Sequence, residues 1–189
     1  THAAVHMLGI IGSDEAIQVL LGLLRDEESY IRLAAITALG WNGSEKAVPA
    51  LREALGDSDV DISWRAAEAL GKIKSRDAVS ALCEATQDPR ERIRIVAAWG
   101  LGNIASKEAI PVLMEMMQDI TSRVSSVAMV ALGRIGSNEA VPALLQVLHD
   151  EDRNVRHVAA ITLGRMGREE AIPDLLMMLD SEEEKLRYA

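Results

Sequence analysis

The chain has 189 residues, is 49% hydrophobic and 26% charged, and sets 20 Lys and Arg against 29 acids for a net charge of −9. Such a composition belongs to folded domains rather than to a disordered segment, and the acidic balance weighs against nonspecific nucleic-acid binding. A single Cys excludes a disulfide framework and a Cys-based zinc site; with no apolar run near the roughly 18 residues of a membrane span, a cytoplasmic protein is expected.

The first residues, Thr1 to Gly9, read as most of a helix closing on Leu8-Gly9. That dipeptide returns at Leu39-Gly40, Leu70-Gly71, Leu101-Gly102, Leu132-Gly133 and Leu163-Gly164, always after 31 residues and without insertion. Five residues before each Gly stands an Ala (Ala4, Ala35, Ala66, Ala97, Ala128, Ala159), and nine before it, in complete copies, a β-branched residue (Ile31, Ile62, Ile93, Val124, Val155). Ile31, Ala35, Ala38 and Leu39 share one helix face, which makes this the first helix of each unit. Gly12, Gly43, Gly136 and Gly167 are expected to end it in the left-handed conformation. Ser13, Ser44, Ser75, Ser106 and Ser137 then stand ready to cap a second helix. Pro49, Pro111, Pro142 and Pro173 fall in that helix's first turn, where a missing N–H does little harm. Val141, Leu144, Leu145 and Leu148 mark its buried face, and Asp26, Asp57, Asp88, Asp119 and Asp150 close the units. Glu183 to Ala189 begins one more first helix, so the chain is expected to be cut inside a repeat at both ends of a longer array.

A Gly within a helix costs about 1 kcal/mol against Ala. Its recurrence with Ala five residues earlier implies backbones in close approach. Two short helices cannot bury their apolar faces alone, so each unit stacks on the next. The expectation is an all-α fold, a right-handed α-solenoid of stacked 31-residue helix pairs running as one array over 1–189. The residues Val155-Arg156, Ala159-Ala160, Leu163-Gly164-Arg165-Met166-Gly167, Glu170-Ala171-Ile172-Pro173 and Leu175-Leu176 give the pattern in full. It resembles the HEAT-like repeats of the phycobilisome-lyase type, over the entire chain. The resemblance implies an architecture rather than an activity; that class includes bilin-lyase subunits, scaffolds and synthetic binding proteins.

Fixed columns build the core, so function is expected where columns vary. The positions 10, 7 and 3 before the Gly and 1 after it resemble those lining the concave surface in that family. Here they hold Tyr30, Leu33, Thr37 and Trp41; Asp61, Trp64, Glu68 and Lys72; Arg92, Ile95, Trp99 and Asn103; Arg123, Ser126, Val130 and Arg134; and Asn154, His157, Ile161 and Arg165. All three Trp and both Tyr of the chain, Tyr188 included, fall in this stripe. Trp and Tyr dominate binding hot spots, and the arginines, Arg153 in a neighbouring column among them, make the face mildly basic. The expected partner-binding residues are therefore Tyr30, Leu33, Trp41, Trp64, Arg92, Ile95, Trp99, Arg123, Arg134, His157 and Arg165. A competing reading packs Leu33, Ile95 and Val130 against the neighbouring helix, and another makes the stripe a self-association surface. Trp41-Asn42 also replaces the usual polar–apolar pair seen in Lys72-Ile73, which suggests an inward-turned Trp41.

Other candidates are weaker. His2 and His6 share a helix face, but His157 lies five repeats away, and with roughly 10 Å between stacked helices it cannot join them as a metal ligand. HEAT-repeat hydroxylases hold two irons with His-Glu pairs; here Val158 follows His157 and no His-Glu dipeptide exists. Cys83 shares a second-helix column with Leu21, Met114 and Leu145 and reads as core, as do Met114, Met116, Met117, Met177 and Met178. Arg32, Arg94, Arg156 and Arg187 suggest an inter-repeat Asp–Arg ladder, broken at Ser63 and Ser125. Glu182 to Glu184 is a solvated charge run. No catalytic constellation, metal site or cofactor motif stands out.

The leading reading is an interaction scaffold whose concave face grips a peptide or protein, with Trp64 and Trp99 as anchors and Arg92, Arg123 and Arg134 pairing with acidic or phosphorylated groups. A second is a bilin-lyase-type subunit in which the aromatics stack a tetrapyrrole. A nucleic-acid role of the HEAT-repeat glycosylase kind ranks last, given the net charge.

Overall fold

The computed structural model describes the backbone of residues 2–187 and the side chains of residues 3–179. The described residues form twelve α-helices and no strand, and no helix among them is long and apolar enough to cross a membrane. The chain divides into two compact units, Thr1–Ala109 and Ile110–Ala189. The first contains α1 (His2–Ile11), α2 (Asp14–Leu23), α3 (Ser29–Asn42), α4 (Val48–Leu55), α5 (Val60–Ile73), α6 (Arg76–Ala85) and α7 (Glu91–Ile104). The second contains α8 (Ile110–Met116), α9 (Ser122–Ile135), α10 (Val141–Val147), α11 (Arg153–Arg165) and α12 (Ile172–Arg187). The fold is all-α and of the repeat-solenoid class, each repeat a first helix followed by a second.

Repeat columns become the core. Ala35, Ala66, Ala97, Ala128 and Ala159 are completely buried, as are Leu39, Leu70, Leu101, Leu132 and Leu163. On the second helices Leu20, Leu51, Leu82, Leu113 and Leu144 are buried to the same degree. Ala4 departs from its column and is exposed.

The first helices end as expected at Gly12, Gly43, Gly136 and Gly167, with φ of 61°, 74°, 71° and 64°. Lys74 and Ala105 occupy the same place without being Gly, and they too adopt positive φ, 54° and 56°. The reversal between helices is therefore imposed by the stacking, even where the residue resists it.

The second helices start in two ways, and the residue five after the Ser decides which. With Gln18 or Ser80 there, the helix is α from its start: Ser13 Oγ accepts from Ala16 N at 3.2 Å and Ser75 Oγ from Ala78 N at 3.1 Å. With Pro at that place a 3-10 turn comes first, at Glu45–Ala47, Lys107–Ala109, Asn138–Ala140 and Glu169–Ala171. Pro49 cannot donate to Glu45 O and its ring would crowd that carbonyl, so the turn tightens to bonds such as Ala47 N to Ser44 O at 3.1 Å. Ser44 and Ser137 consequently make no side-chain cap bond, contrary to expectation.

The unit-closing aspartates have one shared role. Oδ1 of Asp26, Asp57, Asp88, Asp119 and Asp150 accepts from the backbone N–H two residues on, at 2.8–2.9 Å, which sets the turn into the next first helix. The arginines six residues later serve two sets of partners. Arg32, Arg94 and Arg156 donate to the main-chain carbonyls of Asp26, Asp88 and Asp150, each closing the preceding repeat, at 2.9, 3.1 and 2.8 Å. Arg32 also approaches the Asp57 carboxylate at 3.8 Å, a side-chain pair of the expected kind. Ser63 does not break this pattern, since its hydroxyl donates to Asp57 O at 3.2 Å. Arg187 has its side chain outside the described residues.

Candidate functional site

Within unit 1 the two rows of helices are spaced differently. A Cβ added to Gly9 would lie 2.9 Å from Ala38 Cβ, and one on Gly40 would lie 2.8 Å from both Cα and Cβ of Ala69. The recurrent Gly thus lets α1, α3 and α5 touch backbone to backbone. Between α2 and α4, by contrast, opens a groove of about 600 Å³, with Gln18 and Leu21 on one side, Pro49 and Glu53 on the other, and Ile36 and Ile62 beneath. A second groove of about 650 Å³ separates α4 from α6. A stack crowded along one row and splayed along the other curves toward the crowded row, so the first helices form the inner side of unit 1.

On this inner row the sequence places most of the expected aromatic residues. Tyr30 and Trp41, on α3, are 55% and 68% exposed. Trp64 on α5 and Trp99 on α7 are half-buried and meet in a T-shaped contact, centroids 5.1 Å apart and planes at 78°. Leu33, on α3 in the column of Trp64, is half-buried. Lys72 Nζ stands 4.4 Å from the centroid of the Trp41 ring. The same ammonium donates to Glu68 Oε1 at 2.8 Å, and Arg65 donates to Glu68 Oε2 at 2.6 Å. The Lys72 hydrogen bond holds the Glu68 carboxyl below the usual carboxylate range, with the charges of Lys72 and Arg65 acting alike and burial opposing them.

Three expectations change here. Trp41 does not turn inward; Asn42 does, and its Nδ2 donates to Gly9 O at 3.2 Å. Gly12 makes the room, since a Cβ there would collide with the Asn42 amide. Ile95 is only 8% exposed and is part of the core, which leaves it little surface for a partner. Arg92 is committed to the preceding repeat: it donates to Asp57 O at 2.9 Å and Ser58 O at 3.1 Å, which fixes the guanidinium on main-chain carbonyls.

Unit 2 carries the remaining expected residues on its own first helices, where Arg123, Arg134, His157 and Arg165 are exposed. Tyr188 and the side chain of His2 lie outside the described residues. The Cys83 thiol is half-buried, and burial, then the charges of Glu108 and Glu84, push its pKa up, the opposite of an activated nucleophile. Met116 and Met129 are core residues, whereas Met177 is 60% exposed.

Sequence reasoning missed one feature, a cleft of about 400 Å³ at the C-terminal ends of α1 and α3, lined by His6, Gly9, Ile10, Ala38, Trp41 and Asn42. The signal was present in the columns, because His6 and Ile10 occupy in the first repeat the positions that Thr37 and Trp41 occupy in the second.

A family profile for HEAT repeats matches residues 1–62, 53–132 and 122–189, which together span the whole chain. The chain belongs to the HEAT-repeat family. Among solved structures, this HEAT-repeat protein is similar to the complex of CpcE and CpcF of phycocyanin lyase from Nostoc sp. PCC7120, with 27% identity, a TM-score of 0.54, and coverage of 92% of this chain and 73% of the other. Human deoxyhypusine hydroxylase, at 21% identity and a TM-score of 0.57, shares the fold over 89% of this chain and 79% of its own. So does a designed armadillo repeat protein in complex with the peptide (KR)4, at 22% identity and a TM-score of 0.54, over 87% and 92%. Comparison with curated protein sequences finds no match. The HEAT-repeat assignment explains the crowded and splayed rows; which surface works is a matter for the residues that depart from the repeat.

Proposed function

We propose that this HEAT-repeat protein is an interaction scaffold that binds a peptide or protein segment along the first-helix row of unit 1. The carrying observation is that Tyr30, Trp41, Trp64 and Trp99 all stand on that one row, two of them more than half exposed. Exposed aromatic surface on a folded protein usually means interaction, and Trp and Tyr supply contact area at low entropic cost. The fold lends itself to this use, since CpcE is found in complex with CpcF and the designed armadillo protein with a peptide. Arg92 and Ile95 are left out, being taken up by the protein's own packing.

The test is comparative affinity capture with wild type and Trp64→Ala/Trp99→Ala, alongside circular dichroism of both. A partner retained by wild type and lost by an equally helical variant supports the scaffold. Equal capture by both, or a variant that unfolds, removes the row from consideration as a binding face. A tetrapyrrole-binding role is a second reading, favoured by the 27% identity to the phycocyanin lyase complex; it requires a visible absorption band after incubation with a bilin.

A further inference from the structure

The cleft between α1 and α3 is open where its counterpart one repeat later is filled. In the α3–α5 pair, the residue following the second Gly, Lys72, covers the Trp41 ring from the α5 side. In the α1–α3 pair the same column holds Ile10 and Trp41, 66% and 68% exposed, and both line a cleft of about 400 Å³. The floor is Gly9 and Ala38, the point of closest helix approach. Asn42 lines the cleft where later repeats carry Ile73, Ile104 and Ile135. Its Nδ2 must face the Gly9 carbonyl to donate, which leaves Oδ1 as an acceptor turned away from that carbonyl. The two residues that break the repeat pattern, Trp41 and Asn42, are therefore the two that shape this cleft.

We propose that the cleft is an anchor pocket for one neutral, apolar side chain of a peptide, whose backbone N–H donates to Asn42 Oδ1. This rests on the reading of the unit 1 first-helix row as a binding face, and it specifies the chemistry of one position on it. Charge selects the occupant. Lys72 already draws on the π-density of Trp41, so a second cation at that ring would gain little and meet repulsion from the first. An anion would face the negative ring surface with no Lys or Arg lining the cleft. Ile10 and the indole instead offer apolar walls, and a volume of a few hundred Å³ suits a side chain with its adjoining backbone.

The experiment uses Trp41 as reporter. In Trp64→Phe/Trp99→Phe it is the sole indole, and its fluorescence is followed while N-acetyl-leucinamide or N-acetyl-lysinamide is added. A saturable change with the leucine probe, at a half-point on the order of millimolar for so small a ligand, is expected, with none for the lysine probe. Asn42→Ile, which installs the residue usual in this column, should abolish the leucine response while the protein stays folded. Should the double Phe variant fail to fold, the Trp41 indole N–H signal in wild type, assigned by Trp41→Phe, gives the same readout by NMR. No saturation by the leucine probe, an equal response to the lysine probe, or an unchanged response in Asn42→Ile overturns the proposal. Partner capture that depends on Trp64 and Trp99, together with a silent cleft, would leave the scaffold standing without this pocket.

Discussion

Trp64 and Trp99 meet edge to face across the α5–α7 contact, 5.1 Å between ring centroids, although they come from different columns of the repeat. Trp64 stands seven residues before its Gly and Trp99 three before its own, so the contact runs diagonally between neighbouring helices. Edge-to-face pairs contribute about 0.5–1.5 kcal/mol beyond buried area. A double-mutant cycle over Trp64→Ala and Trp99→Ala, measured by chemical denaturation, should return a coupling in that range. Zero coupling would mean that the two rings act independently.

Gly40 and Gly164 occupy the same column but meet different surroundings. A Cβ at Gly40 would press on the Ala69 backbone, whereas one at Gly164 would meet none of the described residues within 4 Å. Gly40→Ala should therefore destabilise by about 1–3 kcal/mol through forced separation of α3 and α5. Gly164→Ala should stabilise by up to about 1 kcal/mol through helix propensity. Denaturation midpoints moving in opposite directions would bear this out; a shared direction would not.

Lys74 and Ala105 hold φ of 54° and 56° in positions where four other repeats use Gly. A side chain in this region costs about 1–2 kcal/mol relative to right-handed helix. Lys74→Gly and Ala105→Gly should each raise the melting temperature, with a gain of about 1 kcal/mol after the entropy of the added Gly is set against it. Gly43→Ala should lower it.

The Glu68 carboxyl, held low chiefly by the Lys72 hydrogen bond, links stability to pH. Its folded pKa lies below the unfolded value of about 4.3, so its contribution is fully present above that value. It is lost as pH falls through the folded pKa. Because both partners are about a third exposed, solvent screening holds the effect to about 1 kcal/mol or less. Wild type should exceed Glu68→Gln in stability at pH 7, and the gap should close below about pH 4 and shrink in high salt.

Arg92 provides a check on the division between packing and binding. Arg92→Ala removes two hydrogen bonds to the Asp57 and Ser58 carbonyls, and a loss of about 1–2 kcal/mol is expected for such charge-assisted bonds near the surface. A variant that loses partner capture with unchanged stability would return Arg92 to the binding face.

The architecture was legible because it is written six times in phase. The recurrent Gly records a backbone contact, which Gly9 makes with Ala38 and Gly40 with Ala69, the Ala two before the next Gly and not the one five before it. A repeated local rule needs no long-range information, so helix pairing and left-handed turns could be read from spacing, and the residues that fill the pattern carried the resemblance to HEAT-like repeats. Column position also placed Tyr30, Trp41, Trp64 and Trp99 on one row.

What spacing could not decide is where a side chain goes once its neighbours are present. Tyr30 and Arg92 share a column, yet Tyr30 stands exposed while Arg92 is drawn onto the Asp57 and Ser58 carbonyls. Ile95 and Trp64 likewise share a column, but only the first is buried. Trp41 and Asn42 exchanged the roles expected of them because a carbonyl at Gly9 and the missing Cβ of Gly12 favour the amide inside. Those outcomes depend on atoms some thirty residues away in the chain, brought near by stacking. The repeat pattern by itself determined the scaffold and the row; tertiary contact decided which residues of that row face outward, since burial and hydrogen bonding are properties of the packed neighbour and not of the column.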